Sequence, residues 1–204
     1  MTLTHPFDVE TLPVGPWRNG GGDTREIACE GSAGPGGDSA DFGWRASIAT
    51  IAADGPFSPF PGVDRTITLL AGDGVHLIAD GGDAPGTPPL DHRLDRPGVP
   101  FAFSGDLALR ARLLGDGDRG AVRVLNIMIR RGRWTADVRR IDAPVPLPAG
   151  HAGVLYLLSG RGTHGGPGPA LRPGRGLWWT SGAADEAAPL EPGSVALWAD
   201  IRAV

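Results

Sequence analysis

Several stretches of the chain set arginine or a side-chain amide among glycine or apolar neighbours, and these could bind or transform a small polar molecule. The first is Trp17-Arg18-Asn19-Gly20-Gly21-Gly22-Asp23-Thr24, with Trp17, Asn19 and Thr24 as candidate ligand contacts. Its glycines could take positive φ and present free N–H groups as an anion nest, or form a sharp bend feeding a strand. A nucleotide phosphate loop is excluded, because that pattern needs Gly-Lys-Ser/Thr ahead of a helix and the chain has no lysine. In Trp44-Arg45-Ala46-Ser47-Ile48-Ala49, strand alternation puts Arg45 and Ser47 on one face and Trp44, Ala46 and Ile48 on the other. The rigid run from Asp54 to Arg65 carries Phe57 and Phe60, which would form an apolar wall or pin the loop, and ends in Asp64-Arg65. Arginine grips a carboxylate or phosphate with two parallel donors, so Arg45 and Arg65 are candidate anion clamps. In Val122–Arg130, Asn126 shares a strand face with Met128 and Arg130 and sits between apolar residues, so a buried Asn126 needs partners.

Metal and nucleophilic chemistry find less to work with. His5, His76, His92, His151 and His164 form no His-x-His pair followed by a Glu at the spacing of a cupin metal site, so no metal or other cofactor is expected. Cys29 stands alone, which rules out an intramolecular disulfide, and no base is adjacent to it in sequence. No Gly-x-Ser-x-Gly elbow occurs, and without lysine there is no Schiff base. Glu26 and Asp64 are the candidate acid/base groups if the chain is an enzyme.

The elements that must position these residues are strands. Gly 33 and Pro 20 in 204 residues are too many for a helical bundle, since both break helix interiors. Short runs with strand character, bounded by glycine or proline, lie at 44–51, 65–70, 75–79, 107–114, 122–130, 134–141, 154–158, 177–180 and 194–198. Three turn-rich stretches, 30–41, 80–100 and 163–176, read as loops. Leu69-Leu70-Ala71-Gly72-Asp73-Gly74 recurs as Leu157-Leu158-Ser159-Gly160-Arg161-Gly162, offset by 88 residues, and a Pro-Gly step follows each copy. This cadence predicts an all-β, cupin-type bicupin of two small antiparallel, jelly-roll-like barrels. Residues 1–140 would hold the first barrel and connecting strands, and 141–204 strands completing the second, with strand exchange between them.

A formal net charge of −4 provides no general attraction for nucleic acid or anionic lipid, so neither is expected as a partner. The first residues show no basic n-region followed by an apolar run. The uncharged stretch 143–160 contains three prolines and an apolar core too short to span a bilayer. A cytoplasmic location is expected, and a homodimer is left open.

Six motifs, in order, resemble the HutD/Ves family of bicupin-like proteins. They are Trp17-Arg18-Asn19-Gly20-Gly21-Gly22-x-Thr24-Arg25-Glu26-Ile27, Trp44-Arg45-x-Ser47-Ile48-Ala49, Asp54-Gly55-Pro56-Phe57-Ser58, Phe60-Pro61-Gly62-x-Asp64-Arg65, Pro100-Phe101-x-Phe103-x-Gly105-Asp106 and Asn126-x-Met128-x-Arg130-Arg131. The resemblance covers roughly residues 10–140. It implies a metal-free two-barrel protein, linked in bacteria to histidine utilisation and without established enzymatic activity. It also implies that the motif residues line one pocket for a small acid such as urocanate or a formylated glutamate.

The expectation is therefore a small-carboxylate-binding protein that senses its ligand and modulates a catabolic pathway. Its site would draw Trp17, Asn19, Thr24, Arg45, Ser47, Phe57, Asp64, Arg65, Asn126 and Arg130 together. The alternative is a metal-independent isomerase or hydrolase of a small organic acid, using Asp64 or Glu26 in the same pocket. A purely structural module would instead scatter these residues over the surface.

Overall fold

Runs of alternating and β-branched residues, cut by glycine at the turns, become strands throughout the chain. A computed structural model describes residues 4–31, 42–81, 88–116, 120–163, 170–181, 187–188 and 190–204. Among them the strands are β1 (His5–Asp8), β2 (Val14–Pro16), β3 (Gly22–Gly31), β4 (Phe42–Ile51), β5 (Gly55–Pro56), β6 (Val63–Ala71), β7 (Val75–Ala79) and β8 (Leu90–Leu94). They continue with β9 (Pro100–Ser104), β10 (Arg110–Leu113), β11 (Val122–Arg130), β12 (Trp134–Ile141), β13 (Ala152–Ser159), β14 (Arg175–Trp179) and β15 (Val195–Ala203). The described residues contain no α-helix, only a 3-10 turn at Val9–Thr11. No helix among them is long and apolar enough to cross a membrane.

β7, β11 and β12 fall where the sequence places them. The 80–100 stretch, expected as a loop, contains β8, because Leu90-Asp91-His92-Arg93-Leu94 alternates with mostly polar residues, as suits the edge position it holds. The expected loop at 163–176 ends in the start of β14. Residues 32–41 and 164–169, His164 included, lie outside the described residues.

The chain divides into two compact units. One is the contiguous segment Val14–Arg131, and the other joins Met1–Pro13 to Gly132–Val204. The breaks fall at 13/14 and 131/132, ahead of the 140/141 division suggested by the sequence, because β12 pairs along its length with β15. In the central unit (Val14–Arg131) a six-stranded sheet runs β2-β3-β4-β11-β6-β9 and a four-stranded sheet runs β5-β10-β7-β8. Ile51, Ile67, Leu69 and Val124 of the first share one apolar cluster with Val75, Leu77, Leu94 and Ala111 of the second. In the terminal unit a single five-stranded sheet runs β1-β14-β13-β15-β12, with a cluster built on Leu155, Leu157, Leu177, Trp179 and Trp198. Among the described residues all pairings are antiparallel, and none of the sheets closes into a barrel.

The two larger sheets share an order and a register. β4-β11-β6-β9 in the central unit matches β12-β15-β13-β14 in the terminal one. Arg65 pairs with Met128 and Phe103, and Gly153, 88 residues on, pairs with Asp200 and Trp179. Ile67 pairs with Asn126, which faces Ser47, as Leu155 pairs with Trp198, which faces Arg139. The repeated glycine turn ends β6 and β13. There Gly72 (φ 87°) and Gly160 (φ 83°) each press against the backbone of a neighbouring segment, where a Cβ would lie 2.7 Å from the Cα of Val122 and of Ser194. Only glycine combines that conformation with that approach.

Candidate functional site

On the core-facing side of the six-stranded sheet, residues change character rung by rung. Leu69, Val124 and Ala49 form an apolar rung with Thr24. The next carries Phe101, Ile67, Asn126, Ser47 and Glu26, and the one after it Phe103, Arg65, Met128, Arg45 and Cys29. A β-bulge between Glu26 and Ala28 shifts the phase of β3 and brings Cys29 onto this face. The polar rungs are nonetheless inside the protein, with Arg45, Arg65, Ser47 and Asn126 all buried.

Arg45 and Arg65 flank Met128 on either side of β11, so their backbones are two strand spacings, roughly 10 Å, apart. Their surroundings differ. Arg45 Nε donates to Glu26 Oε2 at 2.8 Å. Arg65 has no carboxylate among the described residues, and its Nε and Nη2 reach only Asn126 Oδ1, both at 3.4 Å. Its guanidinium instead lies 5.6, 5.4 and 5.2 Å from the ring centroids of Phe57, Phe60 and Phe103. Burial, with the like charge of Arg45, pushes Arg65 down to about 10. Beside them the Cys29 thiol is pushed up to about 11 by burial and by Glu26, which disfavours the nucleophilic thiolate.

The proline-rich run from Asp54 positions the rings. Asp54 Oδ1 accepts from the Leu113 N–H at 2.7 Å, the Phe57 N–H donates to Leu109 O at 2.8 Å, and the Phe60 N–H donates to Gly105 O at 2.7 Å. Gly105 has no room for a side chain, since a Cβ would sit 2.7 Å from Val63 O.

Arg45, Ser47, Phe57, Arg65 and Asn126 thus come together, and Trp17 touches their edge by meeting Phe57 edge-on at 5.9 Å. Trp17 Nε1 donates to Thr24 Oγ1 at 2.7 Å, which engages Thr24 in holding the indole. Asn19 is exposed in the β2–β3 hairpin, where its Oδ1 accepts from the Gly21 N–H at 3.0 Å. The Gly20 N–H donates to Trp17 O, so these glycines make a hairpin turn rather than an anion nest. Arg130 is held by contacts of its own: its Nη1 donates to Pro61 O at 3.1 Å and its guanidinium lies over Phe42.

Asp64 points to the other face of β6, as alternation requires, and accepts from Arg131 Nη2 at 2.7 Å. Arg131 also donates to Asp106 Oδ2 at 2.8 Å and to Ser104 Oγ at 2.9 Å, and the Gly62 N–H donates to Asp106 Oδ1 at 2.7 Å. These bonds hold the Asp106 carboxyl down at about 2 and raise Arg131 further. This tie is not legible in the sequence, and Phe103 and Met128 stand there only within the family motifs, not among the candidate contacts. The signal was the x-Phe103-x and x-Met128-x spacing, which repeats the period of two seen at Arg45 and Ser47.

The histidines are dispersed. His5 stacks on Trp178, His92 on Phe101, His76 Nε2 meets Asp91 Oδ1 at 2.7 Å, and His151 Nδ1 meets Asp200 Oδ1 at 2.8 Å. Among the described residues no three His, Cys, Asp or Glu side chains gather so as to hold a metal ion.

Comparison with known proteins agrees with the motif reading. A family model described as HutD matches residues 9–197. Protein Ves of Cronobacter sakazakii is 40% identical over 176 residues, covering 86% of this chain and 87% of that protein. The structure of HutD from Pseudomonas fluorescens SBW25, described for a formate condition, aligns with a TM-score of 0.76 and 26% identity over 99% of this chain and 100% of that one. The Escherichia coli Ylba structure, of family model DUF861, covers 98% of this chain and 90% of its own at a TM-score of 0.59 and 10% identity, a likeness of fold alone. With a matched family model over nearly its whole length and a relative at this identity, the chain belongs to the HutD family.

Proposed function

We propose that the central unit binds a small carboxylate on Arg65. The observation that carries this reading is a buried guanidinium with no acidic partner among the described residues. Burying a cation costs several kcal/mol unless a counter-charge and well-made hydrogen bonds offset it, and two 3.4 Å contacts to a neutral amide do so poorly. An incoming oxyanion would supply both. Arg45 adds positive potential while Glu26 holds its guanidinium in place. Phe57, Phe60 and Phe103 offer apolar walls that suit a planar acid such as urocanate or the stem of a formylated glutamate. Formate, the smallest carboxylate, is named in the description of the Pseudomonas fluorescens HutD structure.

On this reading the protein is a cytoplasmic sensor of a pathway acid, in keeping with the family's link to histidine utilisation, and its two related sheets belong to a cupin-type bicupin. Ligand binding to the folded state raises apparent stability by mass action, so a thermal-shift series with urocanate, N-formylglutamate, acetate and formate tests it. The expected result is saturable stabilisation of the wild type, its loss in Arg65→Met and its retention in Arg131→Met. No shift with any acid overturns the proposal. Following the same samples by NMR for conversion of the acid separates a binder from an enzyme that uses Glu26.

A further inference from the structure

The five-stranded sheet of the terminal unit has its own place equivalent to the Arg65 site, and the residues there ask for a different ligand. Gly153 stands where Arg65 stands, Trp179 where Phe103 stands and Trp198 where Asn126 stands. A Cβ on Gly153 would collide with Cζ2 of Trp179 and lie 2.7 Å from its Cε2, so the nitrogen-bearing edge of that indole is laid across the glycine. Asp200 is the residue opposite Gly153 on the other side, and it is bonded to His151. Arg139 lies over the Trp198 ring at 5.4 Å.

Both indoles are 2% exposed, and the Nε1 of each is a buried donor without an acceptor among the described residues. An indole N–H can only donate, so neither can satisfy the other. A buried donor left unmade is costly, and two in one apolar cluster, at the place where the sister sheet gathers its polar groups, call for an acceptor beyond the described residues.

We infer that this end of the terminal sheet is a second binding site, for a small molecule without net charge that brings an acceptor oxygen, of the amide or amino-acid class. An acceptor oxygen meets the indole N–H groups. A simple anion is disfavoured because Asp200 and Asp137 stand in the same rung, with Arg139 beside Asp137 and only the imidazole of His151 bonded to Asp200. The central site, where Arg65 has no carboxylate among the described residues, has the opposite preference. This inference rests on the indoles and not on the Arg65 reading.

The test is a 1H–15N spectrum of the full chain, in which tryptophan indole N–H groups give separate cross-peaks and Trp179→Phe and Trp198→Phe assign two of them. Each variant keeps an aromatic ring in the core and removes the donor together with part of the indole's volume. The probes are neutral L-amino acids and their amides at millimolar concentration, with acetate as the anionic control. The expected result is saturable movement of the Trp179 and Trp198 cross-peaks with at least one neutral probe, one equivalent per chain, unchanged in Arg65→Met. Each Phe variant should weaken that binding by about threefold to tenfold, as loss of one neutral hydrogen bond does. Still cross-peaks across the whole probe series, which is what buried water would produce, overturn the inference. So does movement with acetate that disappears in Arg65→Met.

Discussion

Two sheets with one strand order fill equivalent positions in opposite ways. The central sheet buries Arg65 and Asn126 beside phenyl rings, and the terminal sheet buries Gly153 and Trp198 beside a second indole. The comparison teaches that the frame is set by the apolar rungs the sheets share: Ile67 and Leu69 in one, Leu155 and Leu157 in the other. The rung beyond them is free to vary, with a side chain removed on one side so that a large ring can cover the gap.

The largest effect expected from breaking this pairing is on stability. Trp179→Ala should cost about 3–5 kcal/mol in chemical denaturation, as emptying an aromatic core position does. Gly153→Ala should cost about 1–3 kcal/mol through overpacking against that ring, and less in the Trp179→Ala background, where only the approach to Ala199 O at 2.9 Å remains. Additive losses in the double variant would show that the ring does not occupy the glycine's place.

Arg65→Met sharpens the contrast in binding. It should weaken a carboxylate by roughly 1.5–3 kcal/mol, about ten- to a hundredfold by calorimetry, while leaving stability equal or higher because a buried unpaired charge has gone. Arg131→Met should do the reverse, lowering the melting temperature through loss of its exposed tie, worth about 1 kcal/mol, with carboxylate affinity unchanged.

Acid offers a finer probe of the same tie. Because the folded-state Asp106 carboxyl is held at about 2, below its ordinary 3.8, it stabilises the fold above about pH 4 and loses that contribution as pH falls toward 2. Asp106→Asn should flatten the melting profile in that window. The smallest expected effect is on Cys29: with its thiol at about 11, alkylation at pH 8 should be slow beside a free thiol and rise steeply with pH. Fast labelling at pH 8 would mean that the polar rung is open to water.

Period-two alternation made β7, β11 and β12 legible in the sequence, and with them the shared face of Arg45 and Ser47. β8 and β9 were hidden because one is polar along an edge and the other starts on Pro100. Asn126 could be placed on a buried strand from its neighbours and Arg65 at the start of a strand, but their joining depends on the register of β6 against β11, which no local pattern states. Asp64 misled because adjacency in sequence puts it on the opposite face from Arg65. The repeat gave the register between the sheets but not its meaning, since Gly153 carries no side chain to announce a site.

The edge strand β1 has a consequence for how the chain comes off the ribosome. Its partner β14 lies far along the sequence, and Asp8 is clasped by Arg175 at 2.8 Å. At about 5–20 residues per second, the interval between synthesis of the two is on the order of ten to thirty seconds. During that wait the contiguous segment Val14–Arg131 can fold on its own local order, while His5–Asp8 remains an unpaired strand. β1 is thus made long before it can be zipped, and the vulnerable period of the nascent protein is set by translation speed rather than by the stability of either unit.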